Sequence, residues 1–253
     1  MKDGERANLL DHLHELRARV LRSGAYALVG MAVVWVCYRP IYGFLARPIT
    51  EAVAKIHGKI QVTAFMEGFL IRAQIALVGG LILALPLIYY ELWGFASPGL
   101  TRGERRALRP LAPASGLLFL AGVALAYLIT EPSIIWMASM NPPHTEAWYR
   151  LNENLLLILK FYLAFGLAFQ LPIVLILLAA VGIVDSRLLS KRWREASVAI
   201  FVIAAVITPT WDPITMTVCA LPMVLLYLAT IGVVKVIERK RARRQQQEQA
   251  LSG

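Results

Sequence analysis

Two cysteines in 253 residues, Cys37 and Cys219, each set in an apolar block, leave no disulfide framework and no metal-ligand spacing to read. They are read as packing residues. Acidic residues are scarce too, 16 against 26 Lys and Arg, which gives a formal net charge of +10. The chain lacks paired catalytic carboxylates, a Ser/His arrangement or a metal-ligand motif on one side of its apolar blocks, so a membrane-embedded enzyme has no footing. Missing as well is the 3.6- or 2-residue alternation that marks half-buried helices and strands. The start of the chain, Met1 to Arg22, has no early apolar region and is too polar for a cleavable signal peptide. Nothing is expected to be removed from the mature chain.

What the chain has instead is hydrocarbon in long blocks. Apolar residues make up 58%, against the ~45–50% of a soluble domain, so lipid is the expected solvent. A helix needs roughly 20 apolar residues to cross the hydrocarbon. Six candidate spans follow: Val20–Tyr38, Phe69–Phe95, Leu111–Thr130, Asn154–Ile183, Ala196–Ile207 and Ile214–Val234. The fifth has only about twelve apolar residues and rises ~18 Å; it must rely on its neighbours or on a thinned bilayer. Gly, Pro and Asn mark the connections at Arg39–Pro40, Ser97–Pro98–Gly99, Asn141–Pro142–Pro143 and Pro209–Pro213. The last of these makes a tight turn between spans five and six.

The expected organisation is an amphipathic N-terminal helix over 1–19, a six-helix membrane domain over 20–234 and a basic tail over 235–253. The tail is expected to be disordered or to touch lipid headgroups; because it adjoins a span, it is not read as a nucleic-acid binder. Six spans put both termini on one side, and the positive-inside rule says which. Nineteen of the 26 Lys and Arg fall before or at the mouth of span one, between spans two and three, between four and five, or after six. The other side holds Arg39, Arg47, Lys55, Lys59 and Arg150, while Arg72 and Lys160 lie within spans. Both termini are therefore expected in the cytoplasm.

Three clusters outside or at the edge of the apolar blocks carry more specific information. In Leu9–Val20, the residues Leu9, Leu13, Leu16 and Val20 fall at helical spacing, as in an amphipathic helix at the membrane surface running into span one. Glu15 and Arg19 are four apart and can pair along it, worth ~0.2–0.5 kcal/mol. His12 and His14 face different sides and have no third ligand, which argues against a metal site. The second cluster, Phe95–Arg106, contains Pro98-Gly99 for a turn and Thr101-x-x-Glu104 as a capping box. The third is Thr208-Pro209-Thr210-Trp211-Asp212-Pro213 at the outer turn, followed by Pro222, which would kink span six.

In this order and with this topology, the clusters resemble the TatC family, the multispanning subunit of the twin-arginine protein translocase. The resemblance runs from Leu9 to Tyr227. Its most specific pieces are His-Leu-x-Glu-Leu-Arg at His12–Arg17, Phe-x-x-Pro-x-Leu-x-x-x-Glu-Arg at Phe95–Arg105, and the Thr-Pro-x-x-Asp-Pro turn. It implies an all-α concave bundle of six transmembrane helices with short helices five and six, in the bacterial cytoplasmic membrane. It implies no cofactor and no enzymatic activity. The implied task is binding signal peptides that carry two arginines and an apolar stretch, and exporting the attached folded protein with the proton-motive force. The implied partners are the single-span TatA and TatB, docked on helices five and six, with several copies assembling together with TatB.

Arginine recognition in the family maps onto Glu15 and Glu104. Phe95, Arg17, Leu13, Leu16, Pro98, Leu100 and Arg105 complete the implied signal-peptide site. Carboxylates suit this task, because each accepts the bidentate guanidinium fork that lysine cannot reproduce. Such bonds contribute ~1.5–3 kcal/mol when partly desolvated and ~0–1 when exposed, so the apolar stretch of the signal must be buried as well. The surrounding Lys and Arg repel an arginine-bearing ligand, so it should land where acids break the basic field.

Charges inside spans are costly. Arg72 and Glu91 are nineteen residues apart, ~28 Å along a helix, so each is expected at an interface. Lys160 is expected to snorkel toward Glu153 on the same helical face. Gln170 lies deeper, where the family often has a glutamate facing a polar cavity; it keeps the hydrogen bonding and loses the titratable charge. With Lys160, Thr208, Pro209, Asp212 and Glu67, it forms the implied set of polar partner contacts. Leu228 stands at another position where a glutamate is common in the family. A small-solute transporter would instead show inverted repeats and a midplane ionisable pathway, and no such repeat is visible between the first and last three spans.

Overall fold

The computed structural model of the chain describes residues 3–96, 110–142, 145–208 and 213–252, with side chains over 14–94, 110–142, 145–208 and 213–239 and at 242. Nine helices and two short strands are seen among them. They are α1 (Asp3–Val36), α2 (Tyr38–Lys55), β1 (Lys59–Gln61), α3 (Glu67–Ala96), α4 (Leu111–Ala138), β2 (Trp148–Arg150), α5 (Leu151–Ala168), α6 (Leu171–Val181), α7 (Ser186–Lys191), α8 (Trp193–Ile207) and α9 (Pro213–Ser252).

Five stretches are long and apolar enough to cross a membrane: His14–Val36, Glu67–Gly94, Leu111–Ala138, Leu151–Val181 and Pro213–Arg239. The expected fifth span is α8, whose 15 residues rise only ~22 Å. It is short, as its sequence predicts. The fourth span is broken at Phe169–Gln170 into α5 and α6. Pro172 lies in the first turn of α6, with Gln170 at its N-cap, because proline has no N–H to continue the ladder of α5.

Several expectations need correcting. The segment read as a loop after Pro40 is the 18-residue helix α2. Leu45, Ala46, Ile49, Ala52 and Val53 are buried on one side of it, and its charges lie on the other. The N-terminal segment and the first span form one helix, α1, which runs without a break for 34 residues. Of the two helices expected to be short only the fifth is, because the apolar part of α9 alone covers 27 residues. The basic tail, expected to be disordered or to touch lipid headgroups, continues α9 as helix to Ser252. No Gly or Pro falls between Val233 and Ser252, and the segment is rich in Lys, Arg, Gln and Glu, all good helix formers.

The core lies where α3, α4 and α5 meet, around Ile75, Phe119, Leu155, Leu159, Tyr162 and Phe165, all fully buried. Phe161, Phe165 and Phe169 form a tilted aromatic row with centroids 5.4 and 5.5 Å apart. Large apolar side chains such as Leu28, Val36, Leu117 and Leu128 are exposed, as expected where the surrounding solvent is lipid rather than water. α1 packs along α3, and α2 stacks Phe44 on Tyr127 of α4 at 4.6 Å. β1 and β2 pair in parallel, Ile60 opposite Tyr149. These strands mark one face of the bundle, and the start of α1 with the end of α3 marks the opposite, basic face.

Candidate functional site

On the basic face, the charged side chains of α1 converge on the last turns of α3. Arg19 points its guanidinium into the seam between the two helices. Its Nη2 and Nε donate to Glu15 Oε1 at 2.6 and 3.1 Å, and its Nη1 donates to both the carboxylate and the backbone carbonyl of Glu91, each at 3.2 Å. The second Glu91 oxygen takes Arg22 at 3.3 Å and the Tyr26 hydroxyl at 3.4 Å.

Glu91 and Glu15 differ in one respect that matters for binding. The Glu91 side chain is 5% exposed and that of Glu15 36%. A polar group as enclosed as the Glu91 carboxylate needs hydrogen-bond and ion-pair partners around it, and Arg19, Arg22 and Tyr26 supply them. Glu15 faces outward, with Leu16 and Arg17 exposed beside it. Gly94 completes the seam: a Cβ there would lie 2.0 Å from Arg19 Nη1 and 2.8 Å from its Cζ. The guanidinium therefore occupies the space that a side chain at this position would take.

Sequence reasoning missed Glu91, which it placed at an interface opposite Arg72. The available signal was the pair Arg19 and Arg22, three apart at the mouth of the facing helix. The side chains of Leu13, Phe95, Pro98, Leu100, Glu104 and Arg105 lie outside the described residues, as do those of Pro209 and Asp212. Residues 97–109 follow directly on Ala96, two residues past Gly94.

The remaining residues singled out in the sequence are scattered. Glu67 opens α3 on the strand face, where its carboxylate accepts from the Thr63 N–H (2.5 Å), the Thr63 hydroxyl (3.1 Å), the Ala64 N–H (3.2 Å) and the Asn152 N–H at the start of α5 (3.2 Å). It fastens two helix N-termini and is only 4% exposed. Arg72 donates to the Trp35 carbonyl at 2.8 Å and stacks over the Trp35 and Tyr38 rings, closing the end of α1. Lys55 of α2 pairs with Glu131, whose hydrogen bond raises the lysine above the usual ammonium range. Lys160 is exposed and does not reach Glu153, which pairs with Arg150 at 3.0 Å.

Gln170 is buried at the α5–α6 break and donates to the Ser115 carbonyl of α4 at 3.1 Å; its side-chain oxygen has no partner among the described residues. Thr208 is buried where α8 ends, its N–H on the Ala204 carbonyl at 2.8 Å. Between α6, α8 and α9 lies an apolar cavity of about 240 Å³, lined by Leu171, Leu175, Ile200, Ile203, Met223 and Tyr227 among others. Along α8, Val198, Val202 and Val206 form an exposed stripe at four-residue spacing. No group of three or more His, Cys, Asp and Glu among the described residues is placed to hold a metal ion.

Comparison with known proteins adds an independent line. Residues 11–222 match the family model described as Sec-independent protein translocase protein (TatC). A protein of that name from Koribacter versatilis is 34% identical over 244 residues, covering 96% of this chain and 90% of its own. The one from Deinococcus radiodurans is 35% identical, with 90% and 85% covered. A crystal structure of the twin-arginine translocase receptor TatC in DDM superposes with a TM-score of 0.74 at 30% identity, covering 88% of this chain and 98% of that one.

Proposed function

Since the chain belongs to the TatC family of Sec-independent translocase proteins, we propose that its basic face binds the two arginines of a signal peptide arriving from the cytoplasm. The observation that carries this reading is Glu15: a partly exposed carboxylate at the mouth of the α1–α3 seam, set among the basic residues of that face. Coulomb attraction alone is weak at a wet surface, so the apolar part of the signal adds burial against the exposed leucine and valine side chains of α1. Glu104 supplies the second carboxylate from the segment that follows α3.

In this reading the basic face is cytoplasmic and the strand face lies outside, in a multi-pass protein of the bacterial cytoplasmic membrane. TatA and TatB dock on α8 and α9, a placement that the exposed valine stripe of α8 and the adjoining apolar cavity support. Helix association in lipid depends on close packing rather than on water exclusion, and a short, apolar α8 with an open stripe offers that packing. Gln170 and Thr208 provide polar anchor points near the same region. Lys160, exposed on a spanning helix, belongs with them as a partner contact, whereas Glu67 holds the fold.

The decisive experiment is site-specific crosslinking of a twin-arginine signal peptide to membranes containing Glu15→Gln, Glu104→Gln and the double variant. Each single change is expected to reduce crosslinking strongly and the double change to abolish it, with insertion unchanged. Normal crosslinking in the double variant sinks the assignment. Complementation of export of a folded reporter in cells lacking their own TatC-like subunit tests the wider role.

A further inference from the structure

The seam between α1 and α3 is already a finished guanidinium site. It offers one exposed carboxylate oxygen, one buried carboxylate oxygen, one backbone carbonyl and a glycine with no Cβ to intrude, and Arg19 fills it with four hydrogen bonds. We propose that Arg19 is a resident placeholder in this receptacle, and that one arginine of the signal takes its place between Glu15 and Glu91. The inference rests on the function proposed above and adds Glu91 and Gly94 to it as arginine-binding positions.

Three features argue for an exchangeable occupant rather than a fixed staple. The four charges of the seam, Glu15, Glu91, Arg19 and Arg22, sum to zero, so an incoming cation gains nothing there unless one resident cation leaves. Arg19 sits at the rim, with its side chain 20% exposed and its partner Glu15 36% exposed, and so has a way out to solvent. Glu91 is not abandoned when it goes, because Arg22 and Tyr26 hold its other oxygen; the site survives the exchange. Recognition then becomes a competition between two guanidinium groups for the same fork. A lysine, with a point charge and no planar fork, cannot match the resident. The placeholder thereby sharpens selection for arginine and keeps the receptacle closed to other cations.

The test uses purified full-length protein in detergent and a fluorescent synthetic peptide carrying two arginines and an apolar stretch, with a two-lysine peptide alongside. Removing the competitor with Arg19→Gln, or weakening it with Arg19→Lys, is expected to tighten arginine-peptide binding by about tenfold, the equivalent of one charge-assisted hydrogen bond. Glu91→Gln is expected to weaken binding by a similar factor. Gly94→Ala, which fills the bed of the guanidinium, is expected to weaken it whether or not residue 19 is changed. The inference is overturned if both Arg19 variants bind no more tightly than the parent while Glu15→Gln loses binding, the behaviour of a purely structural pair. If Glu15→Gln itself binds normally, the failure belongs to the proposed recognition site and not to the placeholder alone. Thermal unfolding of each variant separates loss of fold from loss of affinity.

Discussion

Gly30 of α1 and Gly80 of α3 touch backbone to backbone: a Cβ on Gly30 would sit 2.5 Å from the Gly80 carbonyl oxygen, and one on Gly80 would sit 2.5 Å from the Met31 N. Small residues at such a crossing let two helices approach without side chains between them, which is the main source of attraction where lipid replaces water. The crossing also sets how closely the basic ends of the two helices lie, and with it the reach of Arg19 to Glu91.

Gly80→Val is therefore expected to cost about 1–3 kcal/mol or more through overpacking, seen as a lowered Tm in detergent, and to weaken signal-peptide binding at the distant seam. Gly79→Ala is the matched control. Its Cβ would meet Val34 at 3.5 Å, ordinary contact, and both stability and binding should stay near the parent.

Tyr227 donates its buried hydroxyl to the Leu189 carbonyl at 3.0 Å, tying α9 to α7. Tyr227→Phe removes that donor with almost no change of shape. A loss of about 1 kcal/mol is expected, read as a shift in the midpoint of denaturant unfolding. An unchanged midpoint would mean that the carbonyl finds another donor.

At the α5–α6 break, Gln170→Leu removes the donation to Ser115 and is expected to lower stability by about 0.5–1.5 kcal/mol. Gln170→Glu retains the bond as long as the acid stays protonated in its buried setting, and export of a folded reporter should continue. A complete block of export by Gln170→Glu would show that this pocket accepts an amide and rejects a carboxyl group.

The two native cysteines report the orientation without engineering. Cys37, at the strand-face end of α1, is exposed, and Cys219 is buried. A membrane-impermeant maleimide added outside spheroplasts is expected to label Cys37 and leave Cys219 unmodified. Labelling only after the membrane is opened would place the strand face in the cytoplasm and remove the proposed direction of signal binding.

Much of this architecture was legible because a bilayer demands long apolar blocks. Spans near Val20–Tyr38, Phe69–Phe95 and Leu111–Thr130 are found close to where block length put them, and the short α8 was visible as a deficit of apolar residues. What escaped was amphipathic or relational. α2 escaped because two prolines and four charged residues among its 18 residues conceal a buried stripe spaced three and four apart. The partners of Glu91 escaped because they lie about 70 positions earlier, and no local pattern says which neighbouring helix faces a carboxylate. Glu15 and its pairing with Arg19 were visible in the four-residue spacing, but the second hold on Arg19, from Glu91 across the seam, required the tertiary contact.

Glu67 has a counterpart in mechanics. One carboxylate clamps the starts of α3 and α5 together on the strand face, while the far ends of α1 and α3 are joined by ion pairs open at the rim. The two fastenings share no side chain, so breaking the ion pairs at the rim would leave the clasp at the opposite end intact.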